Sequence, residues 1–178
     1  MGNAVKIVLV IVVSIISILI MVAYYLTKTR SKSLNDTEPF KPLIGKTVTL
    51  IKPVYLFQEK KIKNKAYPYH LVDDSHHDYQ WYLNRINDKT VPQDVFLIDS
   101  IPEGATLQFD KAEIRQYGWG GGGNYCLLGE LNFQNKTYKI EYSWNEILGL
   151  FQGEERFLQA PWQTVKDTKI YKVPAVKY

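Results

Sequence analysis

Three histidines carry the most distinctive side-chain chemistry of this chain, and they fall within eight residues of one another: His70, His76 and His77. Aspartates stand among them, including Asp74. Imidazole and carboxylate groups are the ligands that zinc and other transition metals use, so these four residues form a candidate metal site. Their spacing matches no established motif, and adjacent His76 and His77 would point in different directions on a strand or a helix. An acidic loop with exposed histidines is the other interpretation.

A glycine-rich segment is the second unusual feature, with five glycines in the six positions 118–123. Glycine permits positive φ angles and close backbone approach. No Lys-Ser or Lys-Thr follows, so the segment is not a phosphate loop, and the next residues resemble a strand rather than a helix. We expect a hairpin tip that presents a tryptophan to a partner. The predicted partner-binding residues are Tyr117, Trp119, Gly120, Gly121 and Tyr125.

Catalytic motifs are missing from the sequence. Cys126 is the only cysteine, and it lies in an apolar strand pattern beside Leu127 and Leu128, which predicts a buried structural thiol. Neither Gly-x-Ser-x-Gly nor His-Glu-x-x-His occurs. We therefore predict that the protein is not an enzyme and needs no cofactor. A metal-dependent enzyme or sensor built on the histidines is the alternative.

The elements that must position these residues begin with a charge-free segment, Ile7–Leu26, which follows a short tail at residues 1–6. Twenty helical residues extend about 30 Å, the thickness of a hydrocarbon core. A cleaved signal peptide has a shorter apolar core and an Ala-x-Ala site, and this segment has neither. Tyr24 and Tyr25 suit the membrane interface. The pattern predicts a retained, single transmembrane helix at residues 7–26.

Two indications about membrane orientation conflict. Lys28, Arg30 and Lys32 follow the apolar segment and only Lys6 precedes it, so the positive-inside rule places the globular part in the cytoplasm. Short N-terminal anchors, however, mostly hold the globular part outside, and our prediction follows this tendency: a periplasmic or extracellular domain. The net charge of +4 is partly concentrated beside the membrane, where it favours anionic head groups. No nucleic-acid partner is predicted.

Beyond the apolar segment, the sequence predicts a polar linker at residues 27–42 and one β-rich globular domain at residues 43–178. Strand-forming residues occur in six segments: Lys46–Phe57, Val95–Ile98, Thr106–Phe109, Tyr125–Phe133, Thr137–Tyr142 and Lys169–Val173. Tyr125–Phe133 and Thr137–Tyr142 flank Gln134-Asn135-Lys136, which indicates a hairpin.

Two segments have helical signals. Residues 75–86 place apolar side chains on one helix face, with Ser75 as a candidate cap, although a strand from residue 80 to 86 fits equally. Ser143-Trp144-Asn145-Glu146 is a capping-box pattern that predicts a short helix ending near Gly153. The fold class is therefore mainly β with one or two short helices.

The stretch Ile101–Phe109 (IPEGATLQF) resembles the turn and strand of bacterial SH3-like barrels, whose pattern is leucine, any residue, lysine, glycine, threonine. Leu128–Phe133 and Lys136–Ile140 are similar to the distal hairpin of that family, and Lys46–Phe57 to its first strand. The segment from Tyr67 to Gln93 has no counterpart. The resemblance implies a small barrel of five or six strands used for binding at the cell envelope, without catalytic residues.

Together these features predict a single-pass membrane-anchored binding module whose small β domain contacts a protein or a cell-envelope component. A structural spacer within a larger membrane complex is a further alternative.

Overall fold

The computed structural model describes residues 2–61, 64–116, 123–144 and 154–174, and it is mainly β. In this part of the chain, the α-helices are α1 (Asn3–Thr27) and α2 (His77–Asn87), with a 3-10 helix at Lys41–Leu43. The first five strands are β1 (Arg30–Ser33), β2 (Thr47–Thr49), β3 (Val54–Glu59), β4 (Tyr69–Val72) and β5 (Val95–Ile101). The others are β6 (Thr106–Gln116), β7 (Gly123–Phe133), β8 (Lys136–Ser143), β9 (Glu154–Glu155) and β10 (Tyr171–Lys172).

Helix α1 carries exposed apolar side chains on every side between Val8 and Tyr24. Ser17 returns its hydroxyl to the carbonyl oxygen of Val13 at 2.9 Å, so its polar group is satisfied inside the helix. The helix ends where the Lys28 N–H bonds the Tyr24 carbonyl. Within the described residues, no helix combines the length and the apolarity that crossing a membrane requires.

Within the described residues, eight strands form one large sheet, and β9 and β10 pair as a separate two-stranded sheet. β6, β7 and β8 are antiparallel neighbours, β8 pairs with β4 in parallel, and β4 pairs with β3. β2 precedes β3 in the chain and pairs with β6. β2 and β3 are separated by a short bend, and side chains of both strands contribute to the larger hydrophobic core. α2 lies in the crossover that leads from β4 to β5.

Two hydrophobic clusters stabilise this arrangement. The larger contains aliphatic side chains from most strands and an aromatic group: Phe40, Tyr125, Trp144 and Phe157. The smaller lies between α2 and the other face of β3, β4 and β5, where the Tyr82 ring stacks on Phe57 at 4.5 Å. Apolar burial of this kind supplies most of the stability of a small domain.

Residues 27–42, predicted as a linker, are instead part of the folded structure. β1 pairs along its length with residues 113–116 of β6. Leu34 and Phe40 are fully buried in the larger cluster, and the Asn35 side-chain oxygen accepts the Ala112 N–H at 2.8 Å. Two isolated apolar residues give no periodic pattern in the sequence, so this docking depends on contacts that only the tertiary structure provides.

The predicted strands correspond to strands of the structure, with different lengths. The hairpin of β7 and β8 is confirmed, and its central residues Gln134 and Asn135 have φ angles of 47° and 60°. The predicted first strand is divided into β2 and β3 by a bend at residues 50–53. β6 continues seven residues beyond Phe109, to Gln116.

The helical interpretation of residues 75–86 is confirmed by α2. Its cap is His76 rather than Ser75, because the His76 side chain accepts the Asp78 N–H. The second predicted helix begins at the capping-box residue Ser143. In the structure Ser143 is the last residue of β8, and residues 145–153 lie outside the described residues.

Candidate functional site

A row of charged side chains lies on the outer face of β6, β7 and β8. Lys111, Glu113 and Arg115 alternate along β6 and therefore project from the same face. Strand pairing places Cys126 opposite Glu113 and Leu128 opposite Lys111. Glu141 of β8 stands opposite Leu128. The register of three strands thus collects groups that are far apart in the sequence.

Arg115 is the centre of this charge cluster. Its Nε donates to Glu113 Oε1 at 2.5 Å and its Nη1 donates to Glu141 Oε2 at 2.6 Å. The Lys111 Nζ lies 2.6 Å from the other Glu113 oxygen. Only 9% of Arg115 is exposed, and both glutamates are buried. Buried charges are stable only when they are paired and hydrogen-bonded, so each member depends on the others.

Asn64 connects the cluster to the segment that follows β3. Its Nδ2 donates to Glu141 Oε2 at 3.3 Å, and its Oδ1 accepts the Ala66 N–H at 3.2 Å. The loop that carries Ala66 and Tyr67 is therefore held over the charged row.

The ionisation of the cluster follows from these contacts. Burial alone would raise the pKa of Glu113, but hydrogen bonds from Lys111 and Arg115 outweigh it and hold that pKa below its ordinary value. Burial opposes the charge of Arg115, yet the carboxylates of Glu141 and Glu113 raise its pKa above the usual range. Glu113 is therefore anionic, and Arg115 cationic, at neutral pH.

Cys126 is fully buried behind this row, as the sequence predicted. Burial raises the pKa of its thiol well above the ordinary value, and the adjacent Glu141 carboxylate adds to the effect. The Sγ lies 3.5 Å from Glu141 Oε1 and serves as a donor to it. A neutral, inaccessible thiol is a structural group and not a nucleophile.

A cavity of about 660 Å³ opens over the charged row. Its lining comes from the chain just after α1, the Asn64 loop, β6 and β7: Thr29, Ser31, Asn64, Ala66, Tyr67, Lys111, Glu113, Arg115 and Leu128. This volume is within the range of small-molecule binding sites.

A second accessible surface lies at the other end of the sheet, on β5. Among the described strands β5 pairs only with β3, so its outer edge is unpaired. Phe96, Leu97 and Ile98 are successive exposed apolar residues on this edge, and a β-bulge interrupts the pairing at Ile98. Trp81 of α2, the helix that packs beside β5, is also exposed.

Four of the predicted partner-binding residues, Tyr117, Trp119, Gly120 and Gly121, lie outside the described residues. The flanking residues Gln116 and Gly123 are paired with each other, so this segment connects two hydrogen-bonded strands. Tyr125, which the sequence predicts to contact a partner, is instead buried between Phe40 and Phe157. Its hydroxyl donates a hydrogen bond to Glu155 Oε1 at 3.0 Å. Its position on the inner face of β7 explains the burial.

The four predicted metal ligands are distributed over different surroundings. His76 is buried, accepts the Asp78 N–H at Nδ1 and lies 2.8 Å from the Ser143 carbonyl oxygen through Nε2. His70 Nε2 lies 3.8 Å from Glu59 Oε1, and Asp74 is exposed. The His77 side chain lies outside the described residues. Across the described ranges, no cluster of three or more histidine, cysteine or acidic side chains is arranged to hold a metal ion.

The charged row was not predicted, because the strand predicted from the sequence ends at Phe109 whereas β6 continues to Gln116. The available signal was the alternation of Lys111, Glu113 and Arg115, which is the spacing of one strand face. Glu141 had no such signal, since only the sheet register brings it to Arg115.

Comparison with protein-family models, curated proteins and solved structures finds no significant match to the chain.

Proposed function

We propose that the protein is a membrane-anchored binding module whose β domain contacts another protein at the cell envelope, outside the cytoplasm. The eight-stranded sheet acts as a small binding barrel, in the manner of the SH3-like domains that parts of its sequence resemble. Protein contact is made through the edge of β5, and α1 is the single membrane anchor.

The anchoring proposal is supported by the composition and exposure of α1. From Ile7 to Leu26 the chain has no charged side chain, and the apolar residues between Val8 and Tyr24 are exposed around the whole helix. A helix without a polar face has no favourable orientation on a water-exposed surface, whereas lipid would cover it on all sides.

The exposed edge of β5 is the observation that supports a protein partner. Unpaired strand edges accept an added strand, and main-chain hydrogen bonds then give affinity while side chains give specificity. Leu97, which is 48% exposed, lies between two other exposed apolar residues on this edge. We propose that an extended segment of the partner pairs with β5 and covers Leu97.

Site-specific cross-linking in intact membranes tests this contact. A photo-reactive residue at Leu97 is expected to capture one discrete partner protein, which mass spectrometry identifies. Val165 provides the matched control, because it is an exposed apolar residue (76%) outside β5. Equal or diffuse labelling from both positions would contradict the proposal, and capture of a second copy of this chain would replace the partner with a homodimer.

Anchoring and orientation need a separate measurement. The full chain is expected to stay with membranes during alkaline carbonate extraction. A cysteine introduced by Val165→Cys should react with a membrane-impermeant maleimide added to intact cells, and buried Cys126 gives no background. Release by carbonate would refute the anchor, and labelling only after cell lysis would place the domain in the cytoplasm.

A further inference from the structure

We infer that the cavity over the charged row binds the phosphate group of an anionic membrane lipid. This inference rests on the proposed membrane anchoring, and it assigns a ligand to a site separate from the β5 edge. Three observations on the described residues support it: the unused hydrogen-bond donors, the charge and composition of the lining, and the position of the cavity along the chain.

Lys111 and Arg115 have hydrogen-bond donors that their glutamate partners do not use. Both Glu113 oxygens already accept, one from Arg115 and one from Lys111. Both Glu141 oxygens also accept, one from Arg115 and Asn64 and the other from the Cys126 thiol. The guanidinium has five N–H groups and the ammonium three, so both cations keep donors beyond these bonds. Anionic oxygens of a ligand can accept from these remaining donors, and bonds of this kind are the strongest that the two cations make.

The lining favours an anion with an apolar portion. It contains two cations, Lys111 and Arg115, against one carboxylate, Glu113, while Glu141, which pairs with Arg115, does not line the cavity. Thr29, Ser31 and Tyr67 add hydroxyl groups, which can donate to phosphate oxygens. Ala66 and Leu128 give apolar contact for the glycerol region. The cavity volume of about 660 Å³ exceeds the size of a bare phosphate ion and suits a head group.

The position of the cavity selects a lipid as the source of the phosphate. α1 ends at Thr27, and Thr29 and Ser31 line the cavity two and four residues later. Extended chain covers at most about 3.6 Å per residue, so Ser31 lies within roughly 14 Å of the end of the helix. The polar layer on each side of a bilayer is roughly 5–8 Å thick. The residues that line the cavity therefore begin within four residues of the membrane anchor, which favours a lipid head group as the source of the phosphate.

Lys111 and Lys139 form a matched pair for the test. Each is a half-exposed lysine paired with a glutamate on the outer face of the sheet, Lys111 with Glu113 and Lys139 with Glu130. Only Lys111 lines the cavity. Arg115 is less suitable, because its removal leaves buried Glu141 without a cationic partner and Glu113 with Lys111 alone, and so destabilises the domain.

The experiment measures binding of short-chain phosphatidylglycerol to the full chain in a neutral detergent, with short-chain phosphatidylcholine and inorganic phosphate as the other probes. The wild type and Lys139→Met are expected to bind phosphatidylglycerol alike and to prefer it to both other probes. Lys111→Met is expected to bind it about tenfold more weakly, because one charge-assisted hydrogen bond is lost.

Equal binding by Lys111→Met and Lys139→Met would overturn the site. Equal binding of phosphatidylcholine would overturn the preference for an anionic lipid, and equal binding of inorganic phosphate would replace the lipid with a soluble phosphate. Carbonate extraction of the same protein separates this inference from the anchoring proposal. If the chain remains in membranes but Lys111→Met and Lys139→Met bind phosphatidylglycerol alike, only the lipid site is refuted. If the chain is extracted by carbonate but Lys111→Met still binds more weakly than Lys139→Met, only the membrane anchor is refuted.

Discussion

Position 129 of β7 requires glycine, because the backbone of β6 passes close beside it. A Cβ at this position would lie 2.1 Å from the Gln108 carbonyl oxygen and 2.7 Å from the Phe109 Cα. Both atoms belong to β6, where the pairing with β7 shifts register after Phe109. Glycine allows this close approach because it has no side chain.

We predict that Gly129→Ala lowers the free energy of unfolding by about 3 kcal/mol, because backbone atoms cannot move aside without breaking the sheet. Gly123→Ala is the comparison on the same strand, since its Cβ would meet side-chain atoms of Ile114, at 2.5 and 2.9 Å, and no backbone atom. That change is expected to cost less than Gly129→Ala, because a side chain can shift further than the backbone of a paired strand. Denaturant titration of the full chain measures both, and equal losses would contradict the argument.

The charge cluster makes stability depend on pH through Glu113. The folded-state pKa of Glu113 lies below the ordinary value of 4.5, so the unfolded chain binds the proton more readily. Its contribution to stability is therefore fully present above about pH 4.5 and is lost as pH falls through the lower, folded-state pKa.

We predict that the free energy of unfolding decreases as pH falls below 4.5, and that Glu113→Gln removes part of this slope. Denaturant titrations at a series of acidic pH values provide the measurement. A variant with the wild-type slope would show that Glu113 is not responsible.

At the scale of elements, the β7–β8 hairpin depends on two consecutive residues with positive φ. Gln134 and Asn135 adopt φ angles of 47° and 60°, the backbone of a type I′ turn, which matches the twist of the two strands. Asn tolerates this region better than Gln does, and Gly tolerates it best.

We predict that Asn135→Gly stabilises the protein by about 0.5–1 kcal/mol, because the turn loses a strained Cβ. Lys136→Gly, one residue further and within β8, is expected to destabilise it by a similar amount, since glycine weakens a strand. Thermal unfolding of the two variants should therefore shift in opposite directions, and shifts in the same direction would contradict the turn assignment.

At the scale of the whole molecule, the segment between α1 and the sheet decides where the folded unit begins. β1 pairs with β6, and Phe40 packs edge-on against Trp144 and Phe157 at 5.6 and 5.3 Å between ring centroids. This segment also lines the cavity through Thr29 and Ser31. Removing it would expose one side of the core and open the proposed lipid site.

We predict that a chain starting at residue 29 gives a dispersed NMR spectrum and that a chain starting at residue 43 does not. In the full chain, Phe40→Ala is expected to cost about 3–5 kcal/mol, as large-to-small changes in a core do. Exposed Lys41→Ala should change stability by less than about 0.5 kcal/mol. A folded product from residue 43 would show that residues 29–42 are dispensable.

The sequence by itself determined the features that arise from neighbouring residues. The apolar helix, the strand segments around residues 95–109 and 125–142, and the hairpin turn at Gln134 follow from composition, periodicity and turn preferences, which act over a few residues. The burial of Cys126 followed in the same way, from the apolar residues beside it.

Only the tertiary structure decided the features that depend on register and docking. The pairing of Arg115 with Glu141 requires β6, β7 and β8 to align in one register, and the burial of Tyr125 depends on which face of β7 meets the core. The docking of Leu34 and Phe40 depends on surfaces contributed by distant strands. The physical reason is the same in each case: the favourable free energy comes from partners far away in the chain, so no local pattern of residues contains it.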